Sequence, residues 1–570
     1  SLFAPAFCRD ARASFLFGQN GLPFRLHAGT GRFAAALCWL HRRLLPRSLL
    51  RLGAALVQRN ERDDRKHEQR ENARARVEYD ARDKILEELL RQPVFRHFAR
   101  LCEIPHPSFK EKALSDRVFQ WAKEKGFAVR QDEWNNVLLR KPASPGYENR
   151  PGVMLQAHLD MVCQKAKGVD HDFLKDPIHL ELDGDILSTG GRTTLGADDG
   201  IGVALALALL EEDSFAHPEL EVLLTTAEEE DLSGAQNVDA SDFRSHYLVN
   251  IDNAVERHSV TGSCGGFGVN FHLPVTWEAA PETGKFFHLK VEGLQGGHSG
   301  EDIHRGRGNA NIFLIRMLLS ARKEMPLRLS ALHGGTFRLA IPRDGEAVVL
   351  VPGDKADAFL QAVNATAEEL RREYKAVAAN LKISVEETRG PANGLVVSRD
   401  VTDKFIQVLV LSPNGISEMN AAVPGVVQSS DNLGEIRLER EQNRLVVVYE
   451  IRTSFRSKAD YIWDKIHLLA QMVGGSCEKF AAYPGWPHDP DSRLTPLVQQ
   501  VYEETFGEEM AATPIHSGLE CGCLIGKKPD LDAISLGPDC WDLHSPQERL
   551  SVKSTIRMYG FLKKLLEKIK

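Results

Sequence analysis

Five short acidic and histidine fragments, each at the end of or just after an apolar run or turn, constrain this chain more than anything else in it. They are His158-Leu159-Asp160, Gly196-Ala197-Asp198-Asp199-Gly200, Ala227-Glu228-Glu229-Glu230, Asn250-Ile251-Asp252 and His544-Ser545-Pro546. Apolar runs of this kind read as buried strands. A charge there is costly unless it is paired or holds a metal. A fold that gathers the fragments gains a carboxylate-rich, two-histidine cluster with enough ligands for two divalent cations. Clusters of that sort activate water.

Each fragment also has a plainer reading. His158 and Asp160 could be a surface pair, Asp198 a helix N-cap, and Glu228 to Glu230 a charged loop. Yet Asp160 lies two residues beyond His158, on the same face of a strand, within reach of the second ring N–H of a ligating His158. Adjacent strand residues point oppositely. Of Glu228 and Glu229, then, one suits a ligand and the other a proton acceptor. The same choice of residues at several strand ends favours a common site.

At 570 residues the chain exceeds one ordinary core. Its net charge of -8 sets nucleic acid aside as the main partner. Its longest apolar candidate, 33–57, is interrupted by Arg42, Arg43, Arg47 and Arg51, so no membrane span is expected. Nine cysteines without a repeating framework point to reduced thiols and a cytoplasmic setting.

Residues 1–83 stand apart. Asp10 is the only acid of the Arg-rich first sixty, and a dense mixture of charges follows. This is either a transit peptide or an extension with no role in the fold. Thereafter apolar spacing predicts helices over 85–101, 111–125 and 201–208, and strands over 136–139, 152–156 and 219–226. Such alternation indicates an α/β layer architecture. Beyond Cys264, strands with polar alternation are predicted over 269–273, 286–291, 335–340, 347–351 and 444–451, with helices over 309–323 and 354–378. That pattern suits an α+β domain. Helices over 497–506 and 551–568 return to the first pattern, so a second domain is inserted within the first.

Further stretches carry a family likeness: Ile104-Pro105-His106-Pro107-Ser108, Gln156-Ala157-His158-Leu159-Asp160-Met161-Val162, Thr194-Leu195-Gly196-Ala197-Asp198, Gly296-Gly297-His298-Ser299-Gly300, Ala482-Tyr483-Pro484-Gly485-Trp486 and Gly518-Leu519-Glu520-Cys521-Gly522. From Lys84 to Lys570 the chain resembles the aminoacyl-histidine dipeptidases. These belong to the dinuclear zinc metallopeptidases that include aminoacylases and glutamate carboxypeptidases. The resemblance implies a zinc-peptidase catalytic domain in two parts, 84–264 and 485–570, with an inserted α+β lid and dimerisation domain over 265–484. It implies two zinc ions per subunit, with cobalt or manganese as alternatives. His158 and Asp252 would hold one, Glu229 and His544 the other, and Asp198 would bridge. Glu228 matches the general base, Asp160 the residue that orients His158, and His298 the lid histidine at the oxyanion, often supplied by the partner subunit. Arg452 and Asn309 would grip the substrate carboxylate.

The activity so implied is hydrolysis of short peptides, Xaa-His dipeptides foremost, by a homodimer joined through its lids. Alternatives are an N-acyl amino acid deacylase or an aminopeptidase of the same family. A non-catalytic scaffold is disfavoured, because all five ligands and Glu228 are present. The chain departs from the family in Glu230-Asp231, where Ala-Gly is usual, and in Asp199, where Asn is common.

Overall fold

The computed structural model describes residues 84–569, and the expectations for residues 1–83 lie outside them. Strands Leu220–Thr225, Val153–His158, Tyr247–Asn250 and Asp532–Ser535 lie side by side and parallel at the centre of an eight-stranded sheet. The first three are buried at every position. That is why they read as continuous apolar runs rather than alternating ones. Antiparallel Val137–Lys141 and Ala128–Gln131 extend one side, and His258–Val260 and Ala511–Thr513 complete the other. Helix Ala197–Glu211, buried around nearly its whole circumference, shares the core with Pro93–Cys102 and Val552–Lys568.

The continuous helix expected over 85–101 is broken. The chain turns at Leu90–Gln92 and restarts at Pro93, whose missing N–H and fixed φ suit a first helical position. A second correction concerns 335–340, which is loop, the strand being Arg328–Gly334. Gly335 has φ 71°, and a Cβ there would lie 1.8 Å from the Gly434 carbonyl oxygen, so the chain reverses where only glycine fits.

A nine-stranded antiparallel sheet with its own apolar core is built from residues between Gly265 and Tyr483. The ninth strand, Gly415–Met419, pairs with Val427–Glu439 off the main path, and the other eight divide into two units of identical order. One runs strand Gly265–Pro274, helix Arg399–Leu411, strands Val427–Glu439 and Arg444–Thr453, helix Arg456–Val473, strand Ser476–Tyr483. The other runs strand Gly284–Glu292, helix Ala310–Glu324, strands Arg328–Gly334 and Gly345–Pro352, helix Ala356–Glu373, strand Lys382–Thr388. Both are βαββαβ units in which the fourth strand neighbours the first, the first the third, and the third the second. The second unit is inserted between the first strand and first helix of the other. A two-stranded ribbon, Trp277–Ala279 against Leu395–Val397, ties its entry to its exit. The units join edge to edge through their second strands, His333 opposite Arg437 and Gly334 opposite Ile436.

The seven cysteines among the described residues are free thiols. No helix among those residues is long and apolar enough to cross a membrane.

Candidate active site

The carboxyl ends of the parallel strands deliver the acidic fragments to one place, as open α/β sheets deliver their ligands. His158 ends its strand. Glu228 and Glu229 follow Leu220–Thr225, and Asp252 follows Tyr247–Asn250. His544 arrives from the turn beyond Asp532–Ser535. Ala227 (φ 54°) and His544 (φ 60°) adopt left-handed conformations, uncommon for residues with a Cβ and typical of sites that must aim a side chain. The Ala227 N–H donates to Glu111 Oε1 at 2.9 Å, which holds that turn.

Asp198 lies at the centre. Its Oδ1 is 3.1 Å from His158 Nε2 and its Oδ2 is 3.2 Å from His544 Nε2, one oxygen to each imidazole. Asp252 Oδ1 stands 3.7 Å from His158 Nε2, and Glu229 Oε1 stands 3.0 Å from His544 Nε2. The five side chains thus form two pairs that share Asp198. His158 Nδ1 faces the Asp160 backbone carbonyl at 3.0 Å. A carbonyl only accepts, so Nδ1 carries hydrogen and Nε2 turns toward Asp198.

The Asp160 carboxylate is 3.4 Å from His158 Nδ1, but its shorter bonds lie elsewhere. It accepts from Ser108 Oγ at 2.7 Å and from the backbone N–H groups of Glu228 and Glu229 at 3.0 and 3.2 Å. Asp160 therefore positions the acidic turn as well as the histidine.

Charge is not balanced by lysine or arginine within this group. Burial, then the charge of Asp198, pushes Asp252 up to about 7. Burial, together with Asp252 and Glu229, holds Glu228 well above the usual carboxylate range. Bonds to Asp198 and Glu229 push His544 up to about 11. Opposing its burial, the two imidazoles keep Asp198 below the carboxylate range. Crowded acids of this kind are relieved by bound cations. His158, Asp198 and Glu229 offer ligand atoms within 4.8 Å of one another, as do His158, Asp199 and Asp252. The donor set, imidazole nitrogen and carboxylate oxygen, suits borderline divalent metals.

Three buried acids to which the sequence assigned no role act around this group. Asp199 accepts from the His158 backbone N–H at 3.2 Å. Glu520 accepts from Gln156 Nε2 at 2.5 Å and Thr225 Oγ1 at 2.6 Å, and Gln156 Oε1 accepts from Asn250 Nδ2 at 2.7 Å. This polar row crosses three strands just below their ligand-bearing ends. Glu548 accepts from four consecutive N–H groups, Leu195 and Gly196 on Oε2 and Ala197 and Asp198 on Oε1, at 2.7 to 3.3 Å. It fixes the turn that presents Asp198, four residues after His544. Asp199 and Glu520 had visible signals, in the Gly-Ala-Asp-Asp-Gly and Gly-Leu-Glu-Cys-Gly stretches, and Glu548 had none.

Asp198, Glu228, Glu229 and Asp252 line a cavity of about 810 Å³ together with His298, Arg338, Arg452, Tyr483 and His516. Arg452 is buried. It donates from Nε to Ser299 Oγ at 3.3 Å and from Nη1 to Tyr483 Oη at 3.0 Å, and Nη2 lies 3.3 Å from His298 Nε2. Burial and the adjacent Arg452 push His298 down to about 4 and His516 down to about 3, so both rings are neutral at neutral pH. Asn309 is not brought to this cavity, which corrects its expected contact with substrate. Its Oδ1 caps helix Ala310–Glu324 by accepting from Asn311 N at 2.9 Å, and its Nδ2 donates to Asn414 and the Leu433 carbonyl. Asparagine before an apolar helix is a preferred cap.

A mixed sheet with paired imidazole and carboxylate groups at its strand ends defines a hydrolase of the metallopeptidase kind, and residues 154–568 match the model of peptidase family M20/M25/M40, to which the chain belongs. It is 39% identical over 484 residues to the cytosol non-specific dipeptidase of Escherichia coli (strain K12), covering 85% of this chain and 99% of that one. The crystal structure of the aminoacylhistidine dipeptidase from Vibrio alginolyticus superposes with a TM-score of 0.78 at 36% identity, over 85% of this chain and 98% of the other.

Proposed function

We propose that this protein is a metal-dependent dipeptidase of short peptides, Xaa-His dipeptides among them. The observation that carries the reading is Asp198 set between His158 and His544, with Glu228 and Arg452 lining the same cavity. His158, Asp252, Glu229, His544 and the shared Asp198 would hold two divalent cations, zinc by preference. When bound, the cations supply Lewis acidity for the attack of water on the peptide carbonyl.

Glu228 is the general base. Its raised affinity for protons suits a group that takes one from the attacking water and returns it to the leaving amine. Asp160 fixes the backbone of Glu228 during both transfers. The Glu301 N–H donates to His298 Nδ1 at 3.1 Å, so the neutral ring carries its hydrogen on Nε2, facing the Arg452 donor. Two donors meeting in this way are satisfied by an oxygen of the substrate placed between them, the oxyanion or the terminal carboxylate. A cavity lined on one side by residues from 265–484, Arg452 among them, suits short peptides with a free carboxylate.

The Escherichia coli relative is named a cytosolic enzyme, and the free thiols suit the same compartment, so we place this protein in the cytoplasm. The lid-joined homodimer remains part of the reading. It is supported by Tyr461, Leu468 and Met472, exposed on helix Arg456–Val473, a face that a second copy would cover.

The deciding assay is hydrolysis of β-Ala-His and a set of α-dipeptides by metal-stripped protein, with and without zinc. Release of free histidine that depends on zinc is expected. The reading is overturned if the zinc-loaded protein cleaves no dipeptide, or prefers N-acyl amino acids or tripeptides.

Metal uptake should also depend on pH. In the stripped protein the neighbouring carboxylates, against burial, hold both His158 and His544 above the ordinary imidazole range, and Asp252 is pushed up to about 7, so ligation displaces protons. Affinity therefore rises as pH rises through 7, and zinc binding at pH 7 should release protons, roughly two to three per chain. Calorimetry in buffers of different ionisation enthalpy measures this number, and release of none would remove His158, His544 and Asp252 from the ligand set.

A further inference from the structure

Arg338 and Arg452 are the only arginine or lysine side chains that line the cavity among the described residues, and a buried carboxylate, Glu450, turns one oxygen toward each. Glu450 lies on strand Arg444–Thr453, two residues before Arg452 and on the same face. Tyr449 and Ile451, on the opposite face, belong to the apolar core, so Glu450 and Arg452 point away from it. Glu450 is 1% exposed, and neither carboxylate oxygen has a hydrogen-bond partner among the described residues. What holds it is charge. Arg338 Nε lies 3.2 Å from its Oε2, and Arg452 Nη2 lies 3.9 Å from its Oε1. Burial raises its affinity for a proton, and the two guanidinium groups oppose that rise.

Both arginines are fixed in place. Arg452 is bonded to Tyr483 and Ser299. Arg338 follows the chain reversal after strand Arg328–Gly334. Asn432 Nδ2 donates to the Arg338 and Ala340 carbonyls at 2.7 and 2.8 Å, and a Cβ on Gly434 would lie 2.6 Å from Arg338 Cα. The Arg338 guanidinium stands 5.2 Å from the centre of the Phe480 ring. Two guanidinium groups, always protonated, and one carboxylate leave this cluster with a single positive charge. The rings of His298 and His516, both neutral at neutral pH, add nothing to it.

A dipeptide bound through its α-carboxylate at Arg452 cancels that single charge. A second carboxylate, on the side chain of the same C-terminal residue, would then meet no uncompensated cation in the cluster. A C-terminal histidine, mostly neutral at pH 7, meets no such difficulty.

We propose that Glu450 is a positioning residue that sets the substrate class. By offsetting one of two guanidinium charges it matches the site to a dipeptide with one carboxylate on its C-terminal residue, and it disfavours dipeptides that end in aspartate or glutamate. Glu450 acts through Arg338 and Arg452. The proposal rests on the dipeptidase reading for the part of Arg452 in binding, and adds a charge rule to it.

The test compares Ala-Gln with Ala-Glu, and Ala-Asn with Ala-Asp, as substrates of the zinc-loaded full-length protein and of its Glu450→Gln variant. Members of a pair differ in charge at nearly constant size, so the ratio of their kcat/KM values isolates the charge effect. A general loss of folding or metal cancels in that ratio. The wild type should prefer the amide member by roughly tenfold or more. Glu450→Gln adds one net positive charge and should shrink the preference by roughly ten- to a hundredfold, chiefly through a lower KM for the acid. Arg338→Gln removes one positive charge and should widen it instead. An unchanged ratio in either variant overturns the proposal, as does a wild type that cleaves Ala-Glu as well as Ala-Gln. Turnover of Ala-Gln by the wild type reports on the dipeptidase reading by itself. A wild type that cleaves no member of either pair overturns that reading and this proposal with it.

Discussion

Glu228→Gln should lower kcat on a dipeptide by roughly a thousand- to ten-thousand-fold, the upper range for loss of a general acid–base group. The substitution preserves the size of the side chain and removes its capacity to accept a proton from water. Asp160 bonds to the backbone N–H of Glu228, not to its side chain, so the turn should stay in place. KM and metal content should therefore change little, which separates a chemical role from a binding one. Steady-state kinetics with metal analysis on the same preparation checks both. A variant with near-wild-type kcat would require another base, and Glu229 could not take that part while bonded to His544.

Asp198→Asn should be still more damaging, because it weakens both halves of the ligand set at once. Asp198 alone gives one oxygen to His158 and the other to His544. An amide offers a single good acceptor atom and no charge. The expected outcome is a fall from about two bound cations per chain to one or fewer, with turnover below detection. Asp252→Asn is the informative control. Asp252 faces His158 alone, so the half built on Glu229 and His544 should keep its cation. Equilibrium dialysis followed by metal quantification distinguishes the two. Equal losses from both variants would argue against Asp198 as the shared ligand.

That the acidic and histidine fragments would meet was legible in the sequence for a physical reason. An acid or histidine at the end of a buried strand must be put to use, and His158, Glu229 and Asp252 each sit beside an apolar run that advertises the strand. The α/β layering was legible from the same runs. Asn309 shows where a motif misleads: its position before the apolar helix Ala310–Glu324 marked a cap, and capping consumes both ends of its amide. The loop at 335–340 was mistaken for a strand because alternation there arises in a chain reversal set by Gly335. Glu548 left no local trace, since its partners are backbone N–H groups, which every residue type supplies. The doubled βαββαβ arrangement was hidden by nesting. One unit interrupts the other after its first strand, so no tandem repeat exists along the chain.

The grip of Glu548 on residues 195–198 has a further consequence, for the order in which the protein is made. Asp198 leaves the ribosome 350 residues ahead of the carboxylate that shapes its turn. His544, the second imidazole of the site, follows almost as late. A nascent chain that has emerged through residue 484 carries His158, Asp198, Glu228, Glu229 and Asp252, but neither His544 nor Glu548. Such a chain lacks one of the two imidazoles beside Asp198 and the carboxylate that anchors its turn. If His544 has the role proposed above, a chain ending before it should show no peptidase activity, which assay of a protein truncated after residue 484 would check.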